Sequence, residues 1–151
     1  MVMTRRKMMR VVDQDRVKEA IRKAERMTSG EICVSVSPLF WGDVEKAAWK
    51  AFARVGMTRT RERNGVLIFV VPARRRFAVL GDAGIHSKVG QEFWDSVAAH
   101  LSEHFQHGEF TEGLVDAIQE IGEQLAAHFP YTPSDVNELP NEIDFEPPER
   151  E

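Results

Sequence analysis

Six apolar residues in a row, Val66 to Val71, followed at once by Pro72, constrain this chain more than any other feature. The run has the length of a strand, is rich in β-branched side chains and shows no alternation, so it reads as a strand buried on both faces. Pro72 ends it, because proline cannot donate to a central ladder. A second apolar run, Phe77 to Leu80, follows after only Pro72 to Arg76, which makes an antiparallel hairpin the economical reading. Gly81 and Gly84 then bracket Asp82 in a turn that needs unusual backbone angles. A strand covered on both faces requires a layer on each side of its sheet.

The rest of the chain supplies those layers. Asp13 can cap a helix from Gln14 to about Met27, with Val17, Ala20, Ile21, Ala24 and Met27 at helical spacing and Gly30 beyond its end. Ile32 to Val36 is a short strand closed by Pro38. Asp43 caps a second helix to about Val55, and a loop with Arg59, Arg61 and Arg63 leads into the hairpin. Strand, helix, strand is a βαβ unit, whose crossover makes the first two strands parallel. The hairpin's return strand makes the sheet mixed. A third helix over about Val89 to Gln106 and a fourth, capped by Thr111 and running to about His128, complete the set. The expected fold is α/β, a three-layer α/β/α sandwich with a small mixed sheet of three to four strands flanked by helices.

The two ends read differently. Residues 1–12 are basic and Met-rich with no helical period, and read as a frayed arm before a domain over 13–129. Residues 130–151 hold five of the seven prolines and seven acidic residues against one basic, and read as an acidic tail in which Val136, Leu139 and Ile143 dock locally. A fourth, short edge strand comes from this tail or from Leu39 to Trp41.

A net charge of −4 gives no general attraction to nucleic acid or anionic membrane. No apolar run approaches the roughly 20 residues of a membrane helix, and no signal-peptide core follows the basic start. The expectation is a soluble, cytoplasmic monomer. The single cysteine, Cys33, permits no internal disulfide and sits in an apolar strand as an inert thiol.

Chain direction carries the functional expectation. Two parallel strands start at one edge of the sheet and the return strand ends there. Gly30-Glu31, Asn64-Gly65 and Gly81-Asp82-Ala83-Gly84 therefore converge. Glu31, Asn64 and Asp82 offer hard oxygen atoms of the kind calcium or magnesium takes. The same residues also fit plainer roles: Glu31 paired with a loop arginine, Asn64-Gly65 as a tight turn, and Asp82 as the cap of the third helix.

Four sequence pieces resemble the TPM-domain family: Glu25-x-x-Thr28-x-Gly30-Glu31-Ile32, Asn64-Gly65-Val66-Leu67, Gly81-x-x-Gly84-Ile85, and Phe105-x-x-Gly108-x-Phe110-x-x-Gly113-Leu114. This domain is shared by a thylakoid-lumen phosphatase-like protein, a photosystem repair protein and a receptor-modulating protein of worms. The resemblance covers about Val17 to Phe129, and Phe129-Pro130 with Asp135 to Pro140 resembles the cytosolic bacterial branch. It implies an α/β sandwich, calcium binding carried onto Glu31, Asn64 and Asp82, and an acid-phosphatase activity ascribed to some plant members.

Other motifs carry less. A thiolate phosphatase loop, an Asp-x-Asp nucleophile and a Gly-x-x-x-x-Gly-Lys loop are all missing, which leaves metal-assisted hydrolysis as the phosphatase chemistry. His100, His104 and His107 recur at helical spacing, His86 follows the Gly84 turn, and Arg74 to Arg76 occupy the hairpin turn at the opposite edge, near Asp43. Leu39, Phe40 and Trp41 form an apolar loop, a candidate protein contact if exposed. The expected function is weak divalent-cation binding, calcium above all, coupled to a protein partner; a metal-dependent acid-phosphatase-like hydrolase is the alternative.

Overall fold

The computed structural model describes residues 5–39, 41–132 and 143–146. Its element order is α1 (Arg5–Val11), α2 (Gln14–Glu25), β1 (Glu31–Val36), α3 (Val44–Arg54), β2 (Gly65–Val71), β3 (Arg76–Gly81), α4 (Ala83–Gln106), α5 (Phe110–His128) and β4 (Asp144–Phe145). The sheet runs β3-β2-β1-β4. β1 and β2 are adjacent and parallel, and β2 and β3 form the antiparallel hairpin. The tail supplies the fourth strand, parallel to β1.

Every residue of β2 is buried, as its unbroken apolar run requires. Its two faces feed two cores. Val66, Ile68 and Val70 pack with residues of α2, α4 and α5; Leu67, Phe69 and Val71 pack with α3. This is the three-layer α/β/α sandwich. Asp13 and Asp43 cap their helices, accepting from Arg16 and Lys46 N–H at 3.2 Å each.

The structure departs from the sequence reading at three helix starts. Arg5–Val11 form α1 where an arm was expected, and Val12 behind it is buried in the larger core. Its order comes from tertiary contact, with α1 lying against β4. α4 starts at Ala83, six residues before Val89, and Gly90 with φ 75° interrupts it. The positive φ is cheap for glycine alone, so about two helical turns next to the rim precede the long segment. Thr111 is not the cap of α5, which begins at Phe110; the Thr111 hydroxyl instead accepts from the Asp13 N–H at 2.9 Å. Of the tail residues expected to dock, Ile143 is buried, while Val136 and Leu139 lie outside the described residues.

Candidate cation site

Three loops meet at the edge of the sheet where β1 and β2 begin and β3 ends. Glu31 stands opposite Gly65, and Val66 opposite Gly81. The Glu31 N–H donates to the Asn64 carbonyl at 3.4 Å, and the Asp82 N–H to the Gly65 carbonyl at 2.9 Å. Glu31, Asn64 and Asp82 are therefore on one rim, and all three are buried.

Asp82 is heavily engaged there. Arg63 Nε donates to Oδ2 at 2.6 Å, Arg63 Nη2 to Oδ1 at 2.8 Å, and the Ala83 N–H to Oδ1 at 2.8 Å. Asp82 thus caps α4 and receives an arginine fork. Arg63 itself has φ 53°, and its carbonyl accepts from Gly84 N–H at 2.8 Å and Ile85 N–H at 3.3 Å. A left-handed non-glycine residue costs of order 1–3 kcal/mol and persists where its surroundings over-determine it. Asp82→Ala removes the cap and the fork together, and should lower the unfolding free energy by about 2 kcal/mol in a urea titration. Asp82→Asn, which keeps the cap, should recover about half of that.

Asn64 is oriented by its donors. Its Nδ2 reaches Ser29 Oγ at 3.3 Å and Glu62 Oε2 at 3.4 Å, and Ser29 Oγ donates to the same Glu62 oxygen at 2.7 Å. Turning the amide over would set Oδ1 against a carboxylate, so the amide stays as it is. Asn64 Oδ1 is then buried with no hydrogen-bond partner among the described residues.

Glu25, to which the sequence reading gave no role, lies beside Glu31. Its Oε2 accepts from the Ile32 N–H at 2.8 Å, and its Oε1 is buried. Burial pushes the Glu25 carboxyl up to about 9; the Ile32 N–H works against the rise, and the charge of the neighbouring Glu31 and a side-chain hydrogen bond with it add to the rise. The one signal in the sequence was the position of Glu25 at the head of the Glu25-x-x-Thr28-x-Gly30-Glu31 piece. Thr28 fixes the loop between them: its hydroxyl donates to the Phe129 carbonyl and accepts from the Gly30 N–H.

Two carboxyl groups and an amide oxygen are hard donors, suited to calcium or magnesium. Asn64 Oδ1 has no hydrogen-bond partner among the described residues, and a buried orphan is rare enough to require an explanation. Among the described residues no three His, Cys, Asp or Glu side chains group so as to hold a metal ion.

The remaining sequence candidates have structural partners. His86 Nδ1 accepts from Trp94 Nε1 at 3.0 Å, which leaves the proton of the neutral ring on Nε2. His100 pairs with Glu120 at 2.7 Å, and His104 with Glu109 at 3.1 Å and Asp116 at 3.0 Å. Slight burial works against the charge on His104, but its hydrogen bonds to the Glu109 and Asp116 carboxylates hold its pKa above the usual histidine range. Arg74 and Arg75 donate to the Gly42 and Gln106 carbonyls at 3.0 Å each, tying down the hairpin turn. Burial raises the Cys33 thiol to about 12, so it is no nucleophile. Leu39 is buried and Trp41 is 65% exposed; Phe40 lies outside the described residues.

Comparison with known proteins agrees with the sequence resemblance. A sequence model of the TPM domain matches residues 2–124. The fold matches the NMR structure of the BA42 protein from the psychrophilic bacterium Bizionia argentinensis with a TM-score of 0.81 at 38% identity, over 88% of this chain and 92% of that one. It also matches the N-terminal domain of the cg2496 protein from Corynebacterium glutamicum, with a TM-score of 0.59 at 14% identity, over 82% of this chain and 76% of that one. The N-terminal domain of a P. gingivalis protein matches with a TM-score of 0.60 at 18% identity, over 87% of this chain and 99% of that one. Among curated proteins, none matches the chain. No helix among the described residues is long and apolar enough to cross a membrane. With the TPM-domain match spanning most of its length and a solved relative alike in both sequence and fold, the chain belongs to the TPM-domain family.

Proposed function

We propose that the protein is a divalent-cation-binding interaction module, with calcium or magnesium held weakly at the rim by Glu31, Asn64 and Glu25. The observation that carries this is the orphaned buried oxygen Asn64 Oδ1 on the same rim as the buried Glu31, whose carboxyl neighbours that of Glu25. Asp82, expected from the sequence as a ligand, joins the site through its grip on Arg63, which fixes the loop that carries Asn64. Trp41, exposed at the other end of the sheet, is a candidate contact for a protein partner.

A cation at Glu25 competes with the proton that Glu25 holds at neutral pH. Affinity should therefore be weak at pH 7 and should tighten by up to about tenfold per unit as pH rises toward 9. The test is a calcium and a magnesium titration followed by amide chemical shifts. Shifts localised to Glu25, Glu31 and Asn64 support the site; none at 10 mM cation and pH 8.5 removes it. Hydrolysis of phosphate esters, the alternative, needs a cationic clamp as well as the metal. Arg63, a cation on this rim, is occupied by Asp82, so the binding reading stands ahead. A generic phosphate ester cleaved by wild type but not by Glu31→Gln would reverse that order.

A further inference from the structure

The outer edge of β1 is closed by the chain's own four-residue segment Ile143–Glu146, and the contacts read like those of a bound peptide. Ile143 is buried in the larger core and Phe145 packs against it. Asp144 sits in a specific socket: Arg54 Nη1 donates to Oδ1 at 2.9 Å, Arg54 Nη2 to Oδ2 at 2.7 Å, and Ser35 Oγ to Oδ2 at 2.6 Å. Glu146 accepts from Arg54 Nη2 at 3.1 Å, and its N–H donates to the Val36 carbonyl at 2.9 Å. The pattern selected is aliphatic, Asp, aromatic, Glu.

That closure is short. β4 pairs only with Ser35 and Val36 of the six-residue β1. At the other end of the same edge, the Ile32 N–H is held by Glu25. Arg54 is 45% exposed, so one side of the clamp is open to solvent. A two-residue strand with a half-exposed clamp belongs to the low-stability end of a structure, where local opening precedes global unfolding.

We propose that the outer edge of β1, with the Arg54–Ser35 socket, is a recognition groove for an acidic extended peptide of the pattern aliphatic-Asp-aromatic-Glu from a partner protein, and that Ile143–Glu146 occupies it in cis until displaced. Strand addition supplies main-chain bonds, and alternate side chains supply selection. A longer partner strand gains an advantage by pairing further along β1 than β4 does. This extends the protein-partner part of the proposed function and is independent of the cation, so its test is run in chelator.

The experiment uses the full chain carrying Asp144→Ala and Phe145→Ala, which empties the socket, and a labelled peptide of residues 141–147, Asn-Glu-Ile-Asp-Phe-Glu-Pro. The peptide should bind the double variant at least tenfold more tightly than wild type. Arg54→Ala added to that background, or Ala in place of the peptide's aspartate, should each lose about tenfold. Absence of binding to the folded double variant, or binding indifferent to Arg54→Ala, overturns the proposal. Hydrogen exchange on wild type provides a second test that needs no variant. The Glu146 amide should exchange at least 100-fold faster than that of Ile68 in the sheet centre, and equal rates would show a segment that leaves only on global unfolding.

Discussion

Glu25→Gln should stabilise the protein at pH 8 by about 2 kcal/mol, roughly 5 °C in the unfolding midpoint, and should do nothing comparable at pH 4.5. The sign follows from linkage. In the folded chain the Glu25 carboxyl holds its proton up to about 9, against 4.5 for the ordinary group. Below 4.5 the group is protonated folded and unfolded alike, and no stability is lost. Between 4.5 and 9 the unfolded chain releases a proton that the folded chain keeps, so wild type loses up to about 1.4 kcal/mol per pH unit as pH rises. Glutamine is neutral throughout and escapes that loss. His104, held above the usual histidine range, adds a smaller decline in the same direction as pH rises through neutrality.

The same substitution should remove the response to cation. At pH 8 a cation supplied at a hundred times its dissociation constant stabilises a single-site protein by about 2.7 kcal/mol. Wild type should show that gain in calcium, and Glu25→Gln should show little of it. Thermal unfolding at pH 4.5 and 8, with and without 10 mM calcium, checks all four conditions. If Glu25→Gln is destabilised equally at both pH values, Glu25 is a structural acceptor for Ile32 and nothing more.

Gly84→Ala is the other substitution of large expected effect. A Cβ at position 84 would lie 2.1 Å from the Glu62 carbonyl oxygen and 2.6 Å from that of Arg63. Both are backbone atoms, so no side chain can rotate away. The loop must move, and with it the carbonyl that receives the Gly84 and Ile85 N–H groups, the Arg63 fork on Asp82 and the Asn64 amide. A loss on the order of 3 kcal/mol, at the upper end of overpacking costs, should appear in urea unfolding. Surviving folded protein should bind cation more weakly than wild type, because Asn64 has been displaced. Ala83→Ser, one residue earlier and exposed, should fall within about 0.5 kcal/mol of wild type. A Gly84→Ala protein as stable as Ala83→Ser would show that the loop after Thr60 is compliant, and that the left-handed Arg63 is incidental.

Local pattern alone determined the sandwich. The unbroken run Val66 to Val71 demanded cover on both faces, Pro72 and the short link to Phe77 demanded a hairpin, and the βαβ order demanded that β1 and β2 run parallel, while their adjacency came only with the tertiary structure. Asp13 and Asp43 announced their helices because a capping carboxylate and its N–H donor lie three residues apart. Chain direction then placed Glu31, Asn64 and Asp82 on one rim with no coordinates in hand. The fate of each side chain on that rim was another matter. Asp82 went to Arg63, nineteen residues away, and the half-buried Glu25 came to neighbour Glu31 because the turn at Thr28 folds the end of α2 back over the start of β1. Thr111 was spent on Asp13, α1 formed on contact with β4, and β4 itself pairs across more than a hundred residues of chain. Secondary structure and strand direction follow from neighbours within a few residues, and so they can be read from the sequence. Burial and partner choice depend on groups distant in the chain, and only folding decides which of them meet.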